Sequence, residues 1–149
     1  ELVFREGRIF RMPVRELDEL GWEPAEAEQG MYRWENKAVK LRMWEIGGEE
    51  QEIRIGAGEN ALVIHVSQDR TELSFRMPDG RIAPCGGGRD RRVGRAGKPV
   101  EQLLVLVDSS IAEVFVNDGE LVFTTRIYLE PEERELWVKG TGKWKLEVI

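Results

Sequence analysis

Cysteine occurs once in this chain, at Cys85, and histidine once, at His65. A single thiol excludes an internal disulfide and fits a reducing compartment. One histidine and one cysteine some twenty positions away do not make a metal-ligand set, so neither a metal nor a cofactor is expected. No apolar run approaches the roughly 20 residues that a membrane-spanning helix needs. No basic-then-apolar leader opens the chain, and its first residue is Glu1 rather than a methionine, which reads as a segment of something longer or a processed chain. Positive charge is in the minority: 22 Lys and Arg stand against 28 Asp and Glu, for a net charge of -6 and a pI near 5.0. Such a surface repels phosphate backbones, so nucleic acid is not an expected partner.

What is present describes a folded domain. The chain has 149 residues, of which 41% are hydrophobic and 34% charged, enough to bury a core without a covalent or metal staple. The dominant pattern is short apolar runs alternating with charged residues and separated by turn formers. Strands are predicted at Val39 to Ile46, Glu52 to Ile55, Ala61 to Val66, Thr71 to Arg76, Leu103 to Val107, Ile111 to Val116, Leu121 to Tyr128, Glu135 to Lys139 and Lys143 to Ile149. That many short strands at even spacing predict an all-β fold, an antiparallel β-sandwich or a barrel. Val39, Leu41 and Met43 share one face of their strand, and Lys40, Arg42 and Trp44 the other. Trp144, Leu146 and Val148 alternate with three charges, so they are expected to pack inward. Leu103 to Val107 is apolar throughout and predicts a central strand covered on both faces.

The clearest hairpin runs from Ile111 to Tyr128 around Asn117-Asp118-Gly119-Glu120, where Asn, Asp and Gly tolerate positive φ. Phe115 or Phe123 is expected to fill the core between the sheets. A second turn is placed at Ser109-Ser110. Pro13, Val14, Leu17 and Leu20 have the spacing of one short helix near the N-terminus, and Glu23 to Gly30 reads as a connecting loop. Pro84 to Pro99, rich in glycine and arginine, reads as a long mobile loop.

Candidate chemistry is sparse. Asp108 and Glu113 flank the Ser109-Ser110 turn and would lie diagonally, about 7 Å apart on one face, within the range of a glycosidase acid pair. The competing reading, a turn-capping Asp and a solvated Glu, is preferred, because no sugar pocket is evident around them. His65 reads as a strand histidine, and Ser109 and Ser110 as turn formers without a neighbouring histidine. The glycines and arginines of residues 86–95 could cradle an oxyanion but lack phosphate-loop spacing. Of the five tryptophans, Trp22, Trp34, Trp44, Trp137 and Trp144, alternation places Trp137 and Trp144 in the core. Trp44 lies on the charged face of its strand and is the residue singled out for an interface or a sugar contact.

Residues 107 to 128, VDSSIAEVFVNDGELVFTTRIY, resemble a signature region of glycoside hydrolase family 32, which includes invertases, fructan hydrolases and sucrose-6-phosphate hydrolases. Residues 7 to 20, GRIFRMPVRELDEL, resemble the linker joining that family's five-bladed catalytic propeller to its C-terminal sandwich. The resemblance implies a two-sheet antiparallel sandwich of jelly-roll or concanavalin-like type with a short N-terminal linker helix. It implies an interdomain linker over residues 1–22 and the C-terminal β-sandwich over 23–149. The family's three catalytic carboxylates lie in propeller motifs, and none of those strings occurs here. The expected role is therefore a non-catalytic domain of a β-fructosidase that stabilises the propeller and takes part in subunit contacts, with a cytoplasmic location carried by the sucrose-6-phosphate hydrolase subtype. The alternative is a stand-alone carbohydrate-binding module for sucrose, fructan or another glycan.

Overall fold

The computed structural model describes residues 1–35 and 37–149. Among the described residues fourteen strands follow one another: β1 (Leu2–Arg5), β2 (Arg8–Arg11), β3 (Glu23–Ala25), β4 (Met31–Arg33), β5 (Ala38–Trp44), β6 (Gln51–Ala57), β7 (Asn60–Ser67), β8 (Arg70–Ser74), β9 (Arg91–Arg95), β10 (Leu103–Asp108), β11 (Ile111–Val116), β12 (Leu121–Arg126), β13 (Glu135–Gly140) and β14 (Lys143–Val148). Two six-stranded antiparallel sheets form a sandwich. Sheet I has the order β12-β11-β10-β5-β14-β3, and sheet II the order β4-β13-β6-β7-β8-β9. β1 and β2 form a separate two-stranded hairpin.

Alternation decides which side chains meet between the sheets. In sheet I, Leu41 pairs with Val105 and with Leu146, and Val105 pairs with Val114, which pairs with Phe123. In sheet II, Ile55 pairs with Leu136 and Leu62, and Ile53 pairs with Ile64. All of these side chains are buried in one core. Burying that many Leu, Ile, Val and Phe side chains, each contributing about 1.5–3 kcal/mol, holds the two layers together.

Several expectations change against the structure. Phe123 does fill the core between the sheets, but Phe115 points to the opposite face of sheet I, beside Val122 and Leu104, and is buried there outside the core. Trp144 packs against the core, whereas Trp137 does not: it stands on the outer face of sheet II with 40% of its surface exposed. Both satisfy the same period of two, which gives alternation but not which face is inward. The helical spacing at the N-terminus yields a single 3-10 turn, Arg15–Glu19. Glu23 to Gly30 is not a plain loop, because its first residues form edge strand β3 against β14.

The largest correction concerns Pro84 to Pro99. Instead of one mobile loop it contains a 3-10 turn, Pro84–Gly86, and edge strand β9, paired with β8 from Ser74↔Arg91 to Arg70↔Arg95. Its arginines are tied down: Arg95 to Asp69 at 2.7 Å, Arg91 to Glu72 at 4.0 Å, and Arg92 donating to the Thr124 carbonyl at 3.1 Å. Its glycines permit close packing rather than motion, since Gly86 lies against Phe75 and Gly94 against Phe123 and Leu121.

Candidate functional site

The N-terminal segment runs over the outer face of sheet I. Leu104, Leu106, Phe115 and Val122 make that face apolar on β10, β11 and β12, and Lys40, Arg42, Lys145 and Glu147 make it charged on β5 and β14. Met12, Pro13, Val14 and Leu17 lie over the apolar half, bordering a groove of about 490 Å³ that Leu106, Phe115 and Val122 floor. Over the charged half, Asp18 pairs with Arg42 at 2.6 Å and with Lys40 at 3.5 Å. The Lys40 ammonium is almost fully buried. It lies 3.2 Å from Glu147 and 4.4 Å from the centroid of the Trp22 ring, and the Trp22 indole N–H donates to the Leu17 carbonyl at 2.6 Å. Burial alone would push the Glu147 carboxyl up, but hydrogen bonds from Lys145 and Lys40 outweigh it and hold it below the usual carboxylate range.

The β11–β12 turn anchors the other end of this segment. Asn117, Asp118 and Gly119 all have positive φ, as expected from their residue types. The buried Asn117 side chain accepts from the Glu101 amide at 2.8 Å and donates to the Pro99 carbonyl at 3.2 Å. The Arg11 amide donates to the Gly119 carbonyl at 3.0 Å, and Arg8 pairs with Glu120 at 3.0 Å. A Cβ on Gly119 would overlap the Arg11 carbonyl, so the close approach requires glycine on two counts.

Beyond this anchor the β1–β2 hairpin presents an apolar face. Leu2 and Phe4 lie two residues apart on one side, and Ile9 sits opposite Phe4; they are 65%, 74% and 52% exposed. Sequence reading missed this hairpin, although the turn residues Glu6-Gly7 between Phe4 and Ile9 were its signal. Trp44 is 38% exposed on the outer face of sheet I. It borders a small cleft of about 150 Å³ with Met12, Arg42, Leu104, Phe115 and Asp118.

The remaining sequence candidates do not converge. Asp108 and Glu113 lie diagonally on the outer face of sheet I, as the register Asp108↔Ile111 and Leu106↔Glu113 requires. Asp108 accepts from the Ser109 hydroxyl at 3.1 Å and Glu113 from the Thr124 hydroxyl at 3.2 Å. Glu113 borders the groove beneath the N-terminal segment and Asp108 does not. His65, on the outer face of sheet II, lies 3.9 Å from Glu50, and no group of metal-ligating residues is found among the described residues. Cys85 is buried; burial and the Glu133 charge push its thiol up to about 12. No helix among the described residues is long and apolar enough to cross a membrane.

Comparison with known proteins places this architecture. Residues 49–148 match the family model described as glycosyl hydrolases family 32 C terminal. The chain is 30% identical to a sucrose-6-phosphate hydrolase of Escherichia coli, covering 91% of this chain and 29% of the relative. It is 31% identical to a probable sucrose-6-phosphate hydrolase of Vibrio cholerae, covering 95% of this chain and 26% of the relative. It thus spans less than a third of the length of these curated relatives. Among solved structures, sucrose-6-phosphate hydrolase from Lactobacillus gasseri superposes with a TM-score of 0.76 at 19% identity, over 99% of this chain and 32% of that one. A glycoside hydrolase family 32 protein from Bifidobacterium adolescentis gives 0.70 at 18% identity, over 99% and 24%. The overall fold and the matched residues agree, and the chain belongs to the C-terminal domain family of glycosyl hydrolases family 32.

Proposed function

We propose that this sandwich is the non-catalytic domain of a longer cytoplasmic sucrose-6-phosphate hydrolase or related β-fructosidase, and that it stabilises a five-bladed catalytic propeller docked on the sheet I side. The observation that carries this reading is the β1–β2 hairpin, whose Leu2, Phe4 and Ile9 form an exposed apolar face. A two-stranded hairpin is marginal by itself, and a contiguous apolar patch of this kind marks an interaction surface. Residues 1–22 then act as a linker that is itself packed, clamped by Lys40, Arg42 and Gly119 so that one domain is held in a fixed pose against the other. Trp44, on the same side of the sandwich, extends this contact surface, and contacts between subunits would use its exposed rim. Asp108 and Glu113, tied to Ser109 and Thr124, play no part in the chemistry, so sugar-bond hydrolysis belongs to the propeller.

The test is made in the full-length enzyme. Phe4→Ser combined with Ile9→Ser should lower both the melting temperature and the yield of active enzyme, while the same pair leaves the melting of residues 1–149 nearly unchanged. Unaltered stability of the full-length variant, or hydrolysis of sucrose or sucrose-6-phosphate by residues 1–149 alone, would refute the assignment.

A further inference from the structure

The outer face of sheet II lies across the sandwich from the N-terminal segment, and it carries a large exposed ring. Trp137 on β13 pairs with Arg54 of β6 on one side and Met31 of β4 on the other. It borders an open cleft of about 560 Å³ lined also by Gln29, Glu52, Arg54, Glu59 and Lys139. Its indole N–H is engaged by Glu135 at 3.3 Å, and Glu135 is in turn held by Arg33. The ring is therefore fixed in orientation and offers the cleft an apolar surface rather than a donor. Arg54 is committed to the Gly58 carbonyl. Among the described residues, the side chains of Gln29, Glu52, Glu59 and Lys139 have no hydrogen-bond or ion-pair partner in the chain.

We propose that this cleft binds a neutral saccharide, with the Trp137 ring stacking on the apolar face of one sugar and the surrounding polar groups bonding its hydroxyls. The charge of the site selects the class. Glu52 and Glu59 are offset by Arg54 and Lys139, so the cleft favours neither an anion nor a cation. A purely apolar peptide would bury four unbonded polar side chains at a cost in desolvation. A sugar supplies alternating donors and acceptors on its edge and C–H groups on its face, which matches an oriented indole ringed by free carboxylate, amide and ammonium groups. The site lies on the face opposite the proposed propeller contact, so its occupancy does not depend on that reading, and a failure here leaves the docking proposal untouched.

The test uses residues 1–149 labelled with 15N, whose five tryptophans give separate indole signals. Sucrose, a linear inulin-type fructan and a cellulose-derived oligosaccharide are titrated in parallel, which separates recognition of the free disaccharide from recognition of a polymer. The Trp137 indole signal should shift saturably with at least one of them, and the shift should survive Trp44→Ala. Trp137→Ala should abolish binding. Glu52→Gln and Lys139→Met keep the ring in place and should each weaken binding by about tenfold, equivalent to about 1.4 kcal/mol. Absence of any Trp137 shift at millimolar sugar would overturn the proposal. So would shifts that depend on protein concentration alone, which would make the face a contact between two copies of the chain.

Discussion

The buried ammonium of Lys40 lies between the Glu147 carboxylate, 3.2 Å away, and the face of the Trp22 ring, 4.4 Å from its centroid. One contact belongs to the sheet and the other to the segment laid over it, so a single charge joins the two. Lys40→Ala leaves Glu147 with one ammonium partner, Lys145, and uncovers the underside of Trp22. Removing one member of a buried pair typically costs about 3–5 kcal/mol; Asp18 is largely solvated, so a loss of about 3 kcal/mol is expected in urea unfolding. Protease cleavage within residues 1–22 should accelerate, and Lys40→Met, which keeps the volume, should be milder.

The same cluster sets an acid limit. Glu147 titrates below its ordinary value of 4.5 in the folded chain, so the folded state binds its proton less readily than the unfolded state does. Its contribution is fully present above the unfolded value and is lost as pH falls through the lower folded one. Unfolding midpoints measured from pH 6 down to 3 should decline, and Glu147→Gln should flatten that decline.

Cys85 sets an alkaline limit. Its thiol stays protonated to about 12 in the fold against an ordinary 9.0. The unfolded chain releases this proton first, so stability is unaffected below about pH 9 and falls between about 9 and 12, at up to about 1.4 kcal/mol per pH unit. Cys85→Ala should remove that slope relative to the parent chain. A thiol reagent at neutral pH should label the native protein only as fast as it opens.

Phe115 and Phe123 are buried to similar degrees on opposite faces of one hairpin. Phe123→Ala opens the core and should cost about 3–5 kcal/mol with the N-terminal segment still protected from protease. Phe115→Ala should cost less overall yet expose that segment to cleavage. Equal cleavage rates in the two variants would contradict the assignment of faces.

Gly119→Ala tests the anchor of the N-terminal segment. An alanine there meets both a positive φ and the Arg11 carbonyl, and a cost on the order of 1–3 kcal/mol is expected, measured by thermal melting. The amide of Arg11 should then exchange with solvent much faster in hydrogen-exchange experiments.

Much of this architecture was legible in the residue order, because period-two alternation on β5 and β14 and the unbroken apolar runs of β7 and β10 survive any uncertainty about neighbours. Asn117-Asp118-Gly119 announced its turn through conformational preference alone. The short strands β1 to β4 and β9 were not legible. Three to five residues are too few to show a period, and the partners of β3 and β4, β14 and β13, lie far away in sequence. The facing of Trp137 was missed for a related reason. Its chain neighbours Leu136 and Val138 are equally apolar, so the pattern around it carries no sign of which side meets the core. Trp44 was recognisable as exposed because its strand neighbours Lys40 and Arg42 are charged. That Lys40 is nonetheless buried depends on the chain folding back over the sheet, which no local pattern encodes.

Strand β9 ends sheet II with Arg91, Arg92 and Arg95 along its length, on the open border where a foreign strand would otherwise add. A newcomer pairing there would have to dehydrate guanidinium groups already balanced by Asp69 and Glu72, an energetic barrier to fibre growth by strand addition. Replacing these arginines with valine would leave the monomer folded while making concentrated solutions prone to forming aggregates by lateral stacking.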